Sequence, residues 1–106
     1  MVAEPHAIDV IEARRAMRSG RLTVFDVREH HERDRDPLPG ARSLPLSELA
    51  QRLGELPDDR PVAFICQTGR RSAVATIVAR TAGLDARNVR GGMAAWAHAN
   101  DSGRTT

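Results

Sequence analysis

The centre of the chain reads VAFICQTGRRS at residues 62–72. The first four of these residues are apolar on both faces, which predicts a central strand of a parallel sheet, because such strands are covered on both sides. The spacing of apolar residues from Ser72 onward predicts a helix that ends at Gly83, with one side formed by Val74, Ile77, Val78 and Thr81. Cys66 therefore lies at the carboxyl end of a buried strand, where open parallel sheets bind their ligands.

Helices are predicted on both sides of this segment. Asp9, followed three residues later by Glu12, predicts a capped helix that ends at Gly20. Ser47 is a candidate cap for a second helix, whose leucines recur at spacings of three and four residues: Leu46, Leu49, Leu53 and Leu56. A last helix opens at Gly91-Gly92 and carries two large apolar side chains, Met93 and Trp96.

Strands alternate with these helices along a chain of 106 residues, which is the length of one domain. β-branched and apolar segments predict further strands at residues 22–27, 42–44 and 88–90. This alternation predicts an α/β fold with a parallel sheet covered by helices on both faces. We expect a flexible segment at 1–6, the domain at 7–98 and a disordered polar tail at 99–106.

The composition excludes several classes of function. Two Phe, one Trp and no Tyr are too few for an aromatic platform that stacks nucleic-acid bases. All 16 basic residues are arginine and stand against 14 acidic residues, so the formal net charge is only +2. The pI of 9.9 is high because few groups titrate between pH 7 and 11 when Lys and Tyr are absent. We therefore expect no nucleic-acid partner.

The single cysteine and the absence of long apolar segments bear on location. One Cys cannot form an internal disulfide, which favours a reducing compartment. The longest apolar run, residues 62–66, is far shorter than the ~20 residues of a membrane helix. The first residues also lack the pattern of a signal peptide. We expect a cytoplasmic protein without a membrane partner, and a monomer.

The loop after Cys66 has the chemistry of an anion site. Successive backbone N–H groups and the amino end of the following helix can face the sulfur, which would lower the pKa of the thiol and make it a nucleophile at neutral pH. Gly69 permits the bend, and Arg70 and Arg71 supply guanidinium groups for an anionic substrate. A cysteine in this position is more often a small core residue, but the loop that follows favours chemistry.

Four motifs in order resemble the single-domain rhodanese-like sulfurtransferases over about residues 7–98. They are Asp26-Val27-Arg28-Glu29, Pro39-Gly40-Ala41, the loop 66–72, and Gly91-Gly92 with Trp96. The resemblance implies a three-layer sandwich with a five-stranded parallel sheet and a Cys66 persulfide. It also implies a substrate cradle made of Gln67, Thr68, Gly69, Arg70, Arg71 and Ser72. Asp36-Pro37 stands where many members have Gly-His, which affects only the turn.

The predicted reaction is the transfer of sulfane sulfur from an anionic donor such as thiosulfate to a thiol or cyanide. A protein could also serve as sulfur donor or acceptor. The reaction needs no acid–base triad, no cofactor and no metal. Arg28 is a candidate substrate ligand, with an ion pair to Glu32 as the structural alternative.

Three other functions are alternatives to this one. A cysteine phosphatase needs an arginine six positions after the nucleophile, but that position is Ser72. A non-enzymatic rhodanese-like module, which carries sulfur, senses oxidation or binds a partner, remains the alternative, because an exposed thiolate also reacts with peroxide. A thioredoxin-like function is disfavoured, since a second Cys is absent.

Several polar and aromatic residues are expected to have structural roles. His30 and His31 are expected to be solvated loop residues rather than metal ligands. Asp26 and Glu29 are expected to be ion-pair partners at a strand end, and Trp96 is expected to lie in the core.

Overall fold

Five parallel strands form one sheet in the order β1-β5-β4-β2-β3, in a computed structural model that describes residues 6–104, with side chains only up to residue 99. The strands are β1 (Ala7–Ile8), β2 (Thr23–Asp26), β3 (Arg42–Ser43), β4 (Val62–Ile65) and β5 (Ala86–Val89). The five-stranded parallel α/β architecture confirms the predicted fold class. Strand β1 was not predicted, because it has only two residues and shows no alternation.

Helices cover both faces of the sheet. They are α1 (Val10–Arg18), α2 (His30–Arg35), α3 (Leu46–Leu49), α4 (Arg70–Thr81) and α5 (Gly92–Arg104), and a 3₁₀ helix (Ala50–Glu55) follows α3. One core cluster joins α1 and α5 to the sheet, for example through Ala13 and Trp96. The other joins α3 and α4 to the opposite face, for example through Leu49 and Ala75. Trp96 therefore lies in the core, as predicted.

The central strand β4 sends side chains alternately into the two cores. Val62 and Phe64 belong to the cluster under α3 and α4, and Ala63 and Ile65 belong to the cluster under α1 and α5. All four side chains are fully buried, as the sequence predicted. The same alternation continues to Cys66, which points to the α4 side of the sheet.

Helix α4 differs from its prediction in start and orientation. It begins at Arg70, two residues earlier than expected. Of the predicted apolar side, Val74 is 49% and Ile77 67% exposed, and only Val78 packs partly against the core. The face that packs on the sheet consists of small residues: Ser72, Ala75, Thr76 and Ala79. These side chains let the helix approach the sheet closely, and the tight packing outweighs the burial of the larger residues.

The segment that leaves β2 is a helix, where the sequence suggested a polar loop. Glu29 caps α2 in a reciprocal box: its side chain accepts from the backbone of Glu32, and Glu32 accepts from the Glu29 N–H at 3.1 Å. His30 and His31 are exposed, but they lie on this helix rather than on an extended loop. The helix has no buried residue, so apolar periodicity could not reveal it.

Two other expectations need correction. Pro45, not Ser47, is the residue before α3, and the Ser47 hydroxyl instead donates to the Glu29 carboxylate at 3.0 Å. The backbone of α5 continues as a helix to Arg104, within the tail expected to be disordered from residue 99. The predicted flexible residues 1–5 and the last two tail residues lie outside the described part of the chain. In that described part, every helix is too short or too polar to cross a membrane.

Candidate active site

The Cys66 sulfur lies directly after β4, under the loop that leads into α4. The Gly69 N–H donates to Sγ at 3.1 Å, and the Ser72 N–H donates at 3.3 Å. The Ser72 hydroxyl lies 3.2 Å from the same sulfur. Cys66 is only 1% exposed, yet its sulfur is surrounded by polar hydrogens. Two amides of the loop therefore point at the sulfur, those of Gly69 and Ser72.

Two opposing effects set the pKa of the Cys66 thiol. Burial raises this pKa, because a charged sulfur loses water. Hydrogen bonds from the Ser72 hydroxyl and from the N–H groups of Ser72, Gly69 and Thr68 lower it, because they stabilise the thiolate. The hydrogen bonds outweigh burial, so the pKa lies below its ordinary value. The thiolate fraction at neutral pH is thereby increased, which is what a nucleophile requires.

The bend of the loop depends on Gly69. This residue has φ of 102° and precedes the first turn of α4. An added Cβ would lie 3.2 Å from the backbone nitrogen of Gly91, so both conformation and space favour glycine. The buried Asn88 side chain donates from Nδ2 to the Gly69 carbonyl at 3.2 Å. The end of β5 thus holds the loop in the shape that directs its amides at sulfur.

The amino end of α5 binds the same loop through backbone hydrogen bonds. The N–H groups of Met93 and Ala94 donate to the carbonyls of Cys66 and Gln67 at 2.8 and 3.1 Å. Gly92 has φ of 61°, and a Cβ there would overlap the Cys66 carbonyl oxygen and lie 2.8 Å from the Gln67 oxygen. The two carbonyls are therefore satisfied without turning the loop away from the sulfur.

Arg71 does not contact the sulfur. It forms a two-pronged ion pair with Glu32, with Nη1–Oε1 at 2.6 Å and Nη2–Oε2 at 2.9 Å. The hydrogen bond from Arg71 is the main reason that the pKa of Glu32 falls to about 2. The hydrogen bonds that lower the Cys66 pKa come from the loop amides and Ser72, and Arg71 interacts with the sulfur only through its charge.

The remaining predicted ligands lie in two different environments. Gln67, Thr68 and Arg70 are exposed on the outer side of the loop. Arg28 is 2% exposed and binds Asp26 through Nη2–Oδ2 at 2.8 Å. The same nitrogen donates to the Asp36 carbonyl at 2.7 Å. Arg28 therefore has a structural ion pair, but its partner is Asp26 instead of the expected Glu32.

The site has the elements of a nucleophilic thiolate held by main-chain amides. The family model of the rhodanese-like domain matches residues 9–99 of this chain. The chain belongs to the rhodanese-like family.

Relatives of this rhodanese-like chain include enzymes and a regulator. The human thiosulfate:glutathione sulfurtransferase is 34% identical over 104 residues, which cover 84% of this chain and 90% of the human protein. The HTH-type transcriptional regulator Rv0324 of Mycobacterium tuberculosis is 36% identical over 92 residues, which cover 85% of this chain and 41% of the regulator. The chain thus spans less than half of the regulator and most of the human protein.

Solved structures agree with the assignment. A rhodanese-related protein from Thermoplasma volcanium superposes with a TM-score of 0.82 at 30% identity, covering 89% of this chain and 92% of the other. Its similarity extends over the sheet and both helical layers, because nearly the whole domain is aligned. The three-layer rhodanese-like fold is therefore shown.

Sequence reasoning missed three residues that shape this rhodanese-like site. Asn88 supports Gly69, but it lies beside Arg87 in β5, so its polarity does not distinguish it in the sequence. Gly92 was recognised as part of a motif, but its packing against the Cys66 carbonyl depends on tertiary structure. Glu32 was considered only as a partner for Arg28. Within the described residues, His, Cys, Asp and Glu form no group of three that could hold a metal ion.

Proposed function

We propose that this rhodanese-like chain is a sulfurtransferase that carries sulfane sulfur on Cys66. The observation that carries the proposal is the set of contacts to one sulfur: two N–H groups and a hydroxyl within 3.3 Å. These groups stabilise negative charge on a thiolate. They would stabilise the terminal sulfur of a persulfide in the same way, because both are soft monoanions.

The first step loads the enzyme. The Cys66 thiolate attacks the outer sulfur of thiosulfate, a new sulfur–sulfur bond forms, and sulfite leaves with the electron pair of the bond that breaks. The total charge is conserved, because one monoanion and one dianion are present before and after. The amides of Gly69 and Ser72 do not need to move a proton in this step.

The second step transfers the outer sulfur from Cys66 to the acceptor. A thiolate or cyanide attacks the outer sulfur of the persulfide, and Cys66 leaves as the thiolate that began the cycle. The acceptor becomes a persulfide or thiocyanate. We propose that the exposed residues Gln67, Thr68 and Arg70 contact donor and acceptor, because they belong to the loop that follows Cys66, together with the cradle residues Gly69, Arg71 and Ser72. A reducing compartment such as the cytoplasm would keep this thiol free.

Arg28 has a different part in this proposal. Its guanidinium is buried and engaged with Asp26 and the Asp36 carbonyl, so it fixes the loop after β2 rather than binding the donor.

Intact mass spectrometry tests the proposal. Incubation with thiosulfate should add one sulfur atom to the protein, cyanide should remove it with release of thiocyanate, and Cys66→Ser should show neither change. Because the chain has a single Cys, this variant also excludes loading at any other thiol. A wild-type protein that never gains sulfur from thiosulfate or another sulfane donor would disprove the proposal.

A non-enzymatic rhodanese-like module is the second candidate. The similarity to the regulator Rv0324 favours this candidate. This chain covers only 41% of that regulator, so a domain similar to this one can be part of a longer protein. In that case the protein would accept sulfur or be oxidised at Cys66, but thiol acceptors would not discharge it catalytically. Multiple turnovers with thiosulfate and cyanide or a thiol would rule this candidate out.

A further inference from the structure

The ion pair between Glu32 and Arg71 joins two helices beside the active loop. Each terminal guanidinium nitrogen of Arg71 donates to one carboxylate oxygen of Glu32, at 2.6 and 2.9 Å. This two-pronged geometry is the strongest form of the interaction. Arg71 is 36% exposed and Glu32 is 29% exposed, so the pair lies at the surface where a donor would approach.

Arg71 belongs to the electrostatic environment of the sulfur. It precedes Ser72, whose N–H binds Sγ at 3.3 Å. The pKa of Arg71 is raised mainly by the Glu32 hydrogen bond, and the charge of Cys66 raises it further. An anionic donor that reaches Cys66 therefore comes within the range of this guanidinium.

Glu32 is itself held in place. Its Oε1 accepts the Glu29 N–H at 3.1 Å, as the third residue of the capping box of α2. Its pKa of about 2 means that it is charged at any pH at which the enzyme works. The carboxylate is thus a permanent, positioned partner of Arg71, and the two charges largely cancel near the loop.

We propose that Glu32 is a specificity-determining residue, whose carboxylate competes with small dianionic sulfur donors for the Arg71 guanidinium. This inference rests on the sulfurtransferase function proposed above. Its consequence is that the loop favours donors of lower charge, such as thiosulfonates or persulfides of thiols, more than a free Arg71 would. Arg70 remains as an exposed cation, and its side chain makes no hydrogen bond or ion pair with the described residues.

Donor kinetics of Glu32→Gln test this inference. The substitution removes the charge but keeps an amide oxygen for the capping box, in which Gln is also favoured. With saturating cyanide, we expect KM for thiosulfate to fall about twofold to fivefold, the range of a partly exposed ion pair. KM for methanethiosulfonate, a monoanion with the same type of reacting bond, should fall by about the square root of that factor, because the attraction scales with charge.

Asp34→Asn is the matched control. It removes one carboxylate from the same helix, but Asp34 is 73% exposed, and its one ion pair with the described residues is to Arg33, at 3.7 Å. This variant should leave the ratio of the two KM values unchanged. In an Arg71→Gln background, the effect of Glu32→Gln should shrink to that of the control, because the contested guanidinium is gone.

The outcomes separate this inference from the function itself. If Glu32→Gln loads sulfur but its ratio of KM values equals that of wild type, or if its KM for thiosulfate rises, Glu32 does not compete with the donor. If wild type never loads sulfur, the proposed function fails instead. Should Glu32→Gln unfold, Glu32→Asp provides the same readout, with an intermediate fall in KM expected because the shorter side chain weakens the pair.

Discussion

The ends of β2 and β4 lie side by side in the sheet, with Asp26 paired to Ile65, and each leads to a buried group that can carry negative charge. At β2 the Asp26 carboxylate is bound by the Arg28 guanidinium, through Nε and Nη2. At β4 the Cys66 sulfur is bound by main-chain amides and a serine hydroxyl. One negative group has a full positive charge beside it, and the other has only dipoles.

This difference separates a structural charge from a reactive one. The Arg28 guanidinium places a full positive charge against the Asp26 carboxylate and fixes it in a structural ion pair. Amide dipoles stabilise the thiolate without placing a full positive charge beside it. Arg71, the cation that precedes Ser72 in the chain, is bound to Glu32. Removing a group from the β2 end should therefore affect stability, and removing one from the β4 end should affect reactivity.

The largest expected effect is on stability at the β2 end. Asp26→Asn leaves the buried Arg28 without its counterion, which should lower the free energy of unfolding by about 3–5 kcal/mol. Urea unfolding at pH 7 measures this change in the free energy of unfolding. The control is Asp26→Leu combined with Arg28→Met, which removes both charges and should be much less destabilising than the single change. A cost of less than about 1 kcal/mol for Asp26→Asn would show that the pair does not compensate buried charge.

Gly92→Ala should have the next largest effect, because it disturbs both conformation and packing behind the Cys66 loop. The left-handed conformation and the overlap with the Cys66 carbonyl together should cost about 2–4 kcal/mol of stability. Gly83→Ala is matched in φ, at 93°, but an added Cβ there meets nothing within 4 Å. It should cost only about 1–2 kcal/mol and leave alkylation of Cys66 unchanged. Equal costs for the two variants would remove packing from the explanation.

Ser72→Ala should change reactivity with little change in stability. The variant lacks the hydroxyl 3.2 Å from Sγ, so the pKa of Cys66 should rise and alkylation at pH 7 should slow about tenfold, since a hydrogen bond to a charge contributes about 1.5 kcal/mol or more. Iodoacetamide rates between pH 5 and 10 would show the shift. Thr76→Val removes a hydroxyl that bonds the Ser72 carbonyl instead, and its profile should match wild type. Coincident profiles for Ser72→Ala and wild type would contradict the assignment.

The smallest expected effect is the pH dependence of the pair between Glu32 and Arg71. The fold lowers the pKa of Glu32 from 4.5 to about 2, so its stabilising contribution is complete above about pH 4.5 and is lost as the pH falls towards 2. Because the pair is partly exposed, Glu32→Gln should cost about 0.5–1 kcal/mol at pH 7. The difference from wild type should disappear near pH 2. A difference that does not vary with pH would mean that the carboxylate's charge contributes nothing.

Local sequence was sufficient for the parts of this protein that depend on neighbouring residues. The apolar run of β4 and the Asp9 cap of α1 appear where the pattern predicts them; the Asp9 side chain accepts from Glu12 at 2.8 Å. The position of Cys66 follows from the same reasoning, because a parallel strand must end where its loop begins. The amide cradle also follows, since Gly69 and Ser72 belong to the same short loop as the sulfur.

Contacts between segments that are distant in the sequence could be found only in the folded structure. Glu32 and Arg71 are 39 residues apart, as the separation of their positions shows, and nothing in either neighbourhood distinguishes this pairing from one with Arg28. The inward face of α4 likewise depends on how closely the helix approaches the sheet, which selects Ala75 and Ala79 over the larger Val74 and Ile77. Periodicity reports which residues share a face of a helix, but the choice of the face that packs is made by shape and distance across the core.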